Sequence, residues 1–205
     1  MRIKLLLFLL LIGSMNIHAQ FRKQFKTLGC AEKRWVFFHP FIAKKTAKLS
    51  SKVVTVTNSD SIKSILGKDG NGGNLDAFRH TYWMAVLTQE IGKRRALKLG
   101  IAHEKKNKQD FKKKRLEDGA IPDSVSIEMD LFNNRVGAGL VEKKQNVTTK
   151  EIQGMVILKI CKGSTMVIAK NAALQSLDQN GALVMKADWE GKWNSGRVLV
   201  LSNCH

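Results

Sequence analysis

The chain has 205 residues, of which 35 are Lys or Arg and 17 are Asp or Glu, for a formal net charge of +18 at pH 7. This length suits one domain, or one domain with an appendage. No segment after the N-terminal region is free of charges over the ~20 residues that a membrane-spanning helix needs, which excludes a membrane-embedded mature chain.

Residues 1–19 are predicted to be a signal peptide. Arg2 and Lys4 precede an apolar run from Leu5 to Ile12, and Ala19 is a small residue at a suitable cleavage point. The run is too short to span a bilayer. We therefore expect an exported protein, periplasmic or extracellular.

Residues 20–66 are predicted to form an N-terminal aromatic and basic extension. Aromatic side chains cluster around Pro40, and the run from Phe41 to Lys48 favours a short helix. The aromatic residues suit packing on the main body, with contact to a membrane or polymer as the alternative. The alternation in Ser50 to Asp60 predicts a strand or an extended linker.

Residues 67–162 are predicted to be a compact helical domain that carries the motifs. A loop rich in glycine and asparagine, Gly67 to Asn74, is interpreted as a flexible connector, with Asn74 as the N-cap of the next helix. Apolar periodicity predicts four helices, at Asn74 to about Ile91, Arg94 to Lys114, Ser124 to about Lys143 and Thr148 to about Cys161. The fold class is mainly α.

Residues 163–205 are predicted to be a small β-like appendage. The runs MVIAK, ALVMKADW and RVLVLSN are separated by turn-like segments. The cysteines are Cys30, Cys161 and Cys204, which allow one disulfide in any of three pairings.

The segment from Lys93 to Arg115 carries eleven Lys or Arg residues against two acidic ones. Such a concentration of charge attracts polyanions, here nucleic acid or anionic lipid headgroups. The alternative is a solvated helix face that keeps an exported protein soluble. No sequence feature predicts a protein partner.

The first candidate site residues share a helix face. Asp76, His80 and Trp83 are spaced i, i+4 and i+7. Asp76 is therefore able to orient His80 or fix its tautomer. The alternative is a core histidine hydrogen-bonded to its neighbour, because the same face continues into Leu87 and Ile91.

Two further groups of polar residues follow. His103 and Glu104 are adjacent, and Asn107 occupies the place where a zincin would have its second histidine. Asp130, Asn133 and Asn134 form a polar strip beside an apolar stripe. The alternative for His103 and Glu104 is a histidine at the border of the buried face and a glutamate paired with a nearby lysine. Asp130, Asn133 and Asn134 either line a polar cavity or join Arg79 and His80 in a structural network.

The combination NLDAFRHTYW, AHE and MDLFNNRVG resembles a bacterial domain family of unknown function found in exported proteins. The family shows a D/N-A-F-R-H-x-x-W element, an H-E pair and an M-D-L-x-N-N element in this order. The resemblance implies a shared helical fold and a shared polar centre. Phe132 stands where the resemblance leads us to expect a histidine.

The first hypothesis is a metal-dependent hydrolase that acts on a phosphate-rich or envelope substrate. His80, His103, Glu104 and Asp130 are its predicted catalytic residues, and His80, His103 and Asp130 its predicted ligands for a divalent metal such as zinc or manganese. The predicted binding residues are Arg79, Trp83, Asn133 and Asn134. A metal-free variant uses His80 as a general base and Arg79 to stabilise an anion.

The second hypothesis is a non-catalytic binding or scaffolding protein of the envelope. In it the motif residues form a structural polar network, and the basic segment is the binding surface.

Overall fold

The structure, a computed structural model, describes residues 25–117 and 119–204. The predicted signal peptide lies outside the described residues. Within them the protein is mainly helical, as predicted, with a small two-stranded sheet near the C-terminus. None of the described helices is both long enough and apolar enough to cross a bilayer.

The helices and strands follow one another in a simple order. They are α1 (Cys30–Phe38), α2 (Pro40–Thr57), α3 (Asp60–Leu66), α4 (Asn74–Ile91), α5 (Lys93–Lys112), α6 (Ser124–Ala138), α7 (Thr149–Cys161), β1 (Met166–Ile168), α8 (Lys186–Trp189) and β2 (Leu199–Leu201). The four helices predicted from apolar periodicity are α4 to α7, and their presence is confirmed. The prediction for α6 extends too far, since the helix ends at Ala138 and is capped by Gly139.

The segment from Ser50 to Thr57 is helical, so the prediction of a strand or extended linker is wrong there. It forms the last two turns of α2, where Val53 and Thr57 point into the core with 2% and 4% exposure. These two residues are spaced i, i+4, and their burial outweighs the weak preference of β-branched residues for strands. The predicted short helix from Phe41 to Lys48 is therefore part of a longer one.

Helix α4 lies at the centre of the core and separates two apolar clusters. One cluster joins α4 to α3 and α7, and includes Phe78, Tyr82, Ile152, Val156 and Ile160. The other joins α4 to α1, α2 and α5, and includes Trp35, Ala43, Met84, Leu87 and Ala96. Because other elements pack around most of α4, several of its polar side chains are buried, among them Asp76, His80, Thr81 and Thr88.

The loop predicted as a flexible connector takes part in the fold. Gly72 donates its N–H to Asp76 Oδ2 at 2.7 Å and accepts an N–H from Ile168 at the same distance. Gly72 has φ +81°, and a Cβ there would lie 2.6 Å from Ile168 Cδ1. Gly73, rather than Asn74, is the N-cap of α4. The loop therefore joins the start of α4 to β1.

The C-terminal segment folds onto the helical domain. β1 and β2 pair in antiparallel fashion, with Met166 opposite Leu201. Cys161 and Cys204 form a disulfide, and Cys30 is an exposed free cysteine. The prediction of a β-like run in ALVMKADW is wrong in its second half, because Lys186–Trp189 is the helix α8. The Trp189 side chain of that helix is buried against Arg197.

Candidate functional site

Two helices that touch along their backbones carry the candidate site. α4 supplies Asp76 and His80, and α6 supplies Asp130. The helices approach closely at Gly137, where a Cβ would overlap the Thr81 carbonyl oxygen and lie 2.8 Å from its carbonyl carbon. Because glycine leaves this space open, the polar side chains of the two helices come within reach of each other.

Asp76, His80 and Asp130 form a buried cluster of potential metal ligands. One ligand atom from each lies within 4.8 Å of the others. His80 Nε2 is 3.3 Å from Asp130 Oδ1 and 3.6 Å from Asp76 Oδ1. Two carboxylates and an imidazole are donors that zinc and manganese accept. The cluster differs from the predicted ligand set, because Asp76 stands where His103 was expected.

Several buried atoms of the site make no hydrogen bond with any described residue. They are His80 Nδ1, Asp130 Oδ1 and both amide atoms of Asn134, although Asn134 lies near enough to His80 to act on its pKa. Asp130 Oδ1 approaches His80 Nε2 without the geometry of a hydrogen bond. Unsatisfied buried polar atoms cost about 1–3 kcal/mol each, and the Asp130 Oδ1 atom among them, which lies beside His80 Nε2, fits a bound cation.

His80 is neutral at physiological pH. Burial holds its pKa well below the ordinary value, and the positive charges of Arg79 and His103 act in the same direction, whereas the Asn134 amide acts against them. Arg79 Nη2 lies 3.2 Å from His80 Nε2 and 2.6 Å from Asp76 Oδ1. Since arginine only donates, His80 Nε2 is the acceptor and its lone pair faces the cluster.

The carboxyl groups of the site outnumber the cations that neutralise them. Burial raises the pKa of Asp130 well above its ordinary value, and the charges of Asp76 and Glu104 raise it further. Burial also raises the pKa of Glu104, to about 7, with Asn107 as its hydrogen-bond donor at 3.0 Å. A divalent cation would relieve this repulsion and keep Asp130 ionised.

His103 is held between two carboxylates. Its Nδ1 lies 3.0 Å from Glu32 Oε1 and its Nε2 lies 3.1 Å from Glu117 Oε1. Burial opposes protonation, but the hydrogen bonds to Glu117 and Glu32 and the charge of Glu104 raise the pKa of His103 to about 10. His103 is thus an imidazolium, and its ring centroid is 6.3 Å from that of His80. Both of its nitrogens are engaged, which does not suit a metal ligand.

The remaining predicted binding residues have separate positions. Asn133 exchanges two hydrogen bonds of 2.9 Å with the backbone of Met166, so its amide joins α6 to β1 and does not face the cluster. Trp83 contacts the His103 ring edge-on, at 5.6 Å between centroids, and donates Nε1–H to Ser50 Oγ at 2.8 Å. Trp83 therefore forms a wall beside the two histidines.

A largely apolar cavity of about 530 Å³ leads to the histidines. Its walls come from α1 and α2, with Trp35, Val36 and Val54 among them. Its polar residues are Arg79, His80, His103, Glu32 and Glu117, together with the hydroxyl groups of three residues from α2 (Thr46, Ser50 and Ser51) and of Thr27. An apolar cavity with convergent polar groups is a common form of small-molecule site.

A family model for a domain of unknown function, DUF6973, matches residues 33–164, which is more than half of the chain. The chain belongs to this family. No curated protein and no solved structure is significantly similar to it. The DUF6973 region contains α4, α5 and α6 and therefore Asp76, His80 and Asp130. A family of unknown function carries no reaction over to the site.

Two site residues are absent from the sequence-based prediction. Glu32 is 71 residues before His103, just outside the DUF6973 region, and it also accepts the Gly29 N–H at 2.7 Å. Its spacing from Gly29 is typical of a helix cap, which gave no signal of a second role. Glu117 follows the basic segment and is easily interpreted as a surface charge.

The departure at Phe132 does not affect the cluster. Two residues along a helix correspond to a rotation of about 200°, so position 132 faces away from Asp130. Phe132 is half-buried and lies 5.9 Å from the guanidinium of Arg135. A histidine at this position would not reach the metal ligands on this face of α6.

Proposed function

We propose that this protein is an exported, metal-dependent hydrolase that acts on an amphipathic, phosphate-containing substrate of the cell envelope. One observation carries the proposal: Asp76, His80 and Asp130 offer ligand atoms within 4.8 Å of one another in a buried cluster, and His80 also lines an apolar cavity. The pKa of His80 is lowered by burial, which leaves a neutral imidazole able to coordinate a metal.

The residues around the cluster have complementary chemical roles. A bound zinc or manganese ion would lower the pKa of a coordinated water toward ~7 and so supply a nucleophile. Arg79, beside His80 and Asp76, provides a guanidinium that suits an anionic phosphate group. Glu104 is buried, and its charge acts on Asp130, so a cation bound at the cluster would lower the pKa of both carboxyl groups.

The shape of the cavity favours an amphiphile over a uniformly polar substrate. Its walls are apolar, and its charged residues include Arg79 and the His103 imidazolium, which Glu32 and Glu117 flank. Because these two carboxylates offset the charge of His103, Arg79 is the cation that a phosphate group would contact. A substrate with an acyl chain and a phosphate group matches both features. Nucleic acid, which has no long apolar part, would leave the apolar walls unused.

The metal assignment is tested by metal analysis and calorimetric titration of the chain from Gln20 onward, purified without a His-tag. We expect one zinc or manganese per chain, and loss of binding in His80→Gln and Asp130→Asn. His103→Gln is the matched control, since His103 lies outside the cluster and should leave metal binding intact. Loss of metal in His103→Gln would instead favour His80, His103 and Asp130 as the ligands.

The hydrolase assignment is tested with phosphodiester and phospholipid substrates. We expect activity in the metal-loaded parent and a reduction of at least about 100-fold in Asp130→Asn. A well-folded parent that binds no metal after reconstitution would refute the metal-dependent enzyme. If Asp130→Asn also lowered the melting temperature strongly, the buried residues would be a structural network, as in a binding or scaffolding protein.

A further inference from the structure

The turn between α1 and α2 presents three phenylalanines to solvent. Phe37 is 77% exposed, Phe38 63% and Phe41 98%. We call this segment, residues 37–41, the aromatic turn. Phenylalanine is usually buried, so three such side chains within five residues form an exposed apolar patch of the kind that marks an interaction site.

The aromatic turn is fixed to the core from its inner side. Trp35 is buried, donates Nε1–H to the Arg95 carbonyl at 3.2 Å, and stacks on His39 at 4.5 Å between ring centroids. Pro40 begins α2, and Ala43 is buried one turn later. Because the inner face is occupied, the three phenylalanines cannot turn inward without displacing Trp35 and Ala43.

The stretch of chain around the aromatic turn is basic, and the one ion pair that its described residues make with another helix joins Lys45 to Glu90. The sequence contains no Asp or Glu between Glu32 and Asp60, and Glu32 is itself buried. Arg34, Lys44 and Lys48 are exposed in this stretch. On the neighbouring helix α5, Lys98, Ile101 and Lys105 line a groove together with Phe38.

Exposed aromatic side chains surrounded by cations match an anionic bilayer surface. Aromatic rings enter the interfacial region of a bilayer, and exposed Lys and Arg residues interact with anionic headgroups. A protein partner would need a pocket for the aromatic rings with acidic residues around it. An anionic bilayer offers an apolar environment for the rings and negative charge for the cations over its whole surface.

We propose that the aromatic turn docks the protein on an anionic lipid bilayer, with Phe37, Phe38 and Phe41 inserted at the headgroup level. The docking surface does not depend on the proposed hydrolase activity. The turn joins α1 and α2, the same two helices that wall the apolar cavity. Docking through this turn places the cavity-forming helix pair at the bilayer.

Vesicle sedimentation tests the proposal with the chain from Gln20 onward, which contains every described residue. Vesicles of phosphatidylcholine with about one third phosphatidylglycerol are compared with phosphatidylcholine alone. We expect binding to the anionic vesicles, reduced at least about tenfold in Phe37→Ser/Phe41→Ser. Lys44→Gln/Lys48→Gln should weaken binding less, and high salt should weaken it in the parent.

Two controls separate this surface from other effects. Leu158→Ser/Leu201→Ser removes two other exposed apolar side chains, 52% and 61% exposed, and should bind vesicles like the parent. Asp130→Asn should also bind like the parent, so that failure of the hydrolase leaves the docking result interpretable. Circular dichroism checks that each variant is folded.

Three outcomes would overturn the proposal. The first is equal vesicle binding by the parent and by Phe37→Ser/Phe41→Ser. The second is a parent that binds no vesicles but forms a dimer that this variant loses, which would make a second copy the occupant. The third is a parent whose binding to double-stranded DNA, but not to vesicles, depends on Phe37 and Phe41.

Discussion

Arg79 contacts two of the potential metal ligands and so competes with a metal for them. Its guanidinium lies 2.6 Å from Asp76 Oδ1 and 3.2 Å from His80 Nε2, so both potential ligand atoms contact a cation that the chain itself supplies. A quarter of the Arg79 side chain is exposed, and the cavity gives it room to move. A metal would have to displace this guanidinium or share the carboxylate with it.

Arg79→Met is therefore expected to raise the affinity for zinc or manganese by about tenfold or more, while slowing hydrolysis of an anionic substrate. The reason is the loss of a competing positive charge next to Asp76. Calorimetric titration measures the affinity. Arg135→Met, an exposed arginine on α6, is the matched control and should change neither property. A weaker metal affinity in Arg79→Met would mean that Arg79 holds Asp76 and His80 in position and does not compete with the metal.

His103 gives the free energy of unfolding a pH dependence of known sign. Its folded-state pKa of about 10 lies above the unfolded value of ~6.5, so its stabilising effect is complete below pH ~6.5. The effect is lost as the pH rises through the folded pKa. A quarter of the side chain is exposed, which reduces the expected size through solvent screening.

Urea unfolding at about pH 7 and about pH 9.5 should show the parent losing on the order of 2 kcal/mol of stability between the two. His103→Gln, which cannot be protonated, should show a clearly smaller loss over the same range. Equal losses in both proteins would show that neither Glu32 nor Glu117 stabilises a charged His103.

At the scale of elements, the contact between α4 and α6 determines whether the ligands meet. Gly137→Ala would place a Cβ against the Thr81 carbonyl and push the helices apart. We expect a destabilisation of about 3 kcal/mol, at the upper end for overpacking because the obstacle is backbone, together with weaker metal binding. Chemical unfolding and metal titration measure the two effects.

Gly154→Ala is the matched control for this substitution. Gly154 is an exposed residue within α7, and an added Cβ meets no atom within 4 Å. Alanine there should stabilise the protein by about 0.5–1 kcal/mol through helix propensity. If Gly137→Ala were as stable as the parent, the close approach of α4 and α6 would not be required for folding.

Local patterns in the sequence predicted the elements better than the site. The period of apolar residues identified α4 to α7, and the spacing of Asp76 and His80 placed both on one face. The error at Ser50–Thr57 arose because alternation over a few β-branched residues resembles a strand. The helical conformation of this segment depends on the packing of Val53 against the core, which the local pattern does not show.

Contacts between distant segments explain why part of the site could not be predicted. Asp130 reaches His80 through a helix crossing at Gly137, and no local pattern encodes that crossing. Glu32 pairs with His103 across 71 residues. The sequence placed both histidines near carboxylates but did not indicate which carboxylates, and the structure groups Asp76 and Asp130 with His80 alone.

At the scale of the whole molecule, the C-terminal segment stabilises the helical domain. Arg197 and Asp123 form a buried ion pair of 2.7 Å, and Asp123 also caps α6 by accepting the Ser126 N–H. Asn133, three residues after Asp130, forms two hydrogen bonds with β1: its side-chain amide donates to the Met166 carbonyl and accepts the Met166 N–H. The segment thus holds both the start and the middle of the helix that carries Asp130.

The disulfide Cys161–Cys204 is expected to contribute stability without shaping the metal cluster. It closes a loop with a sequence separation of 43 residues, which corresponds to about 4 kcal/mol from the reduced entropy of the unfolded chain. Reduction, or Cys161→Ala/Cys204→Ala, should lower the free energy of unfolding by about this amount. Chemical unfolding at neutral pH measures it, and Cys30→Ser, which removes the exposed free thiol, should leave it unchanged.

Metal affinity at 25 °C should survive the loss of the disulfide. The Arg197–Asp123 pair, the β1–β2 pairing and the Asn133 hydrogen bonds still hold the C-terminal segment against α6 in the folded state. A disulfide that acts mainly on the unfolded chain changes how much protein is folded, not the geometry of the folded cluster. If metal affinity fell together with stability, the disulfide would instead fix the position of α6, and with it Asp130.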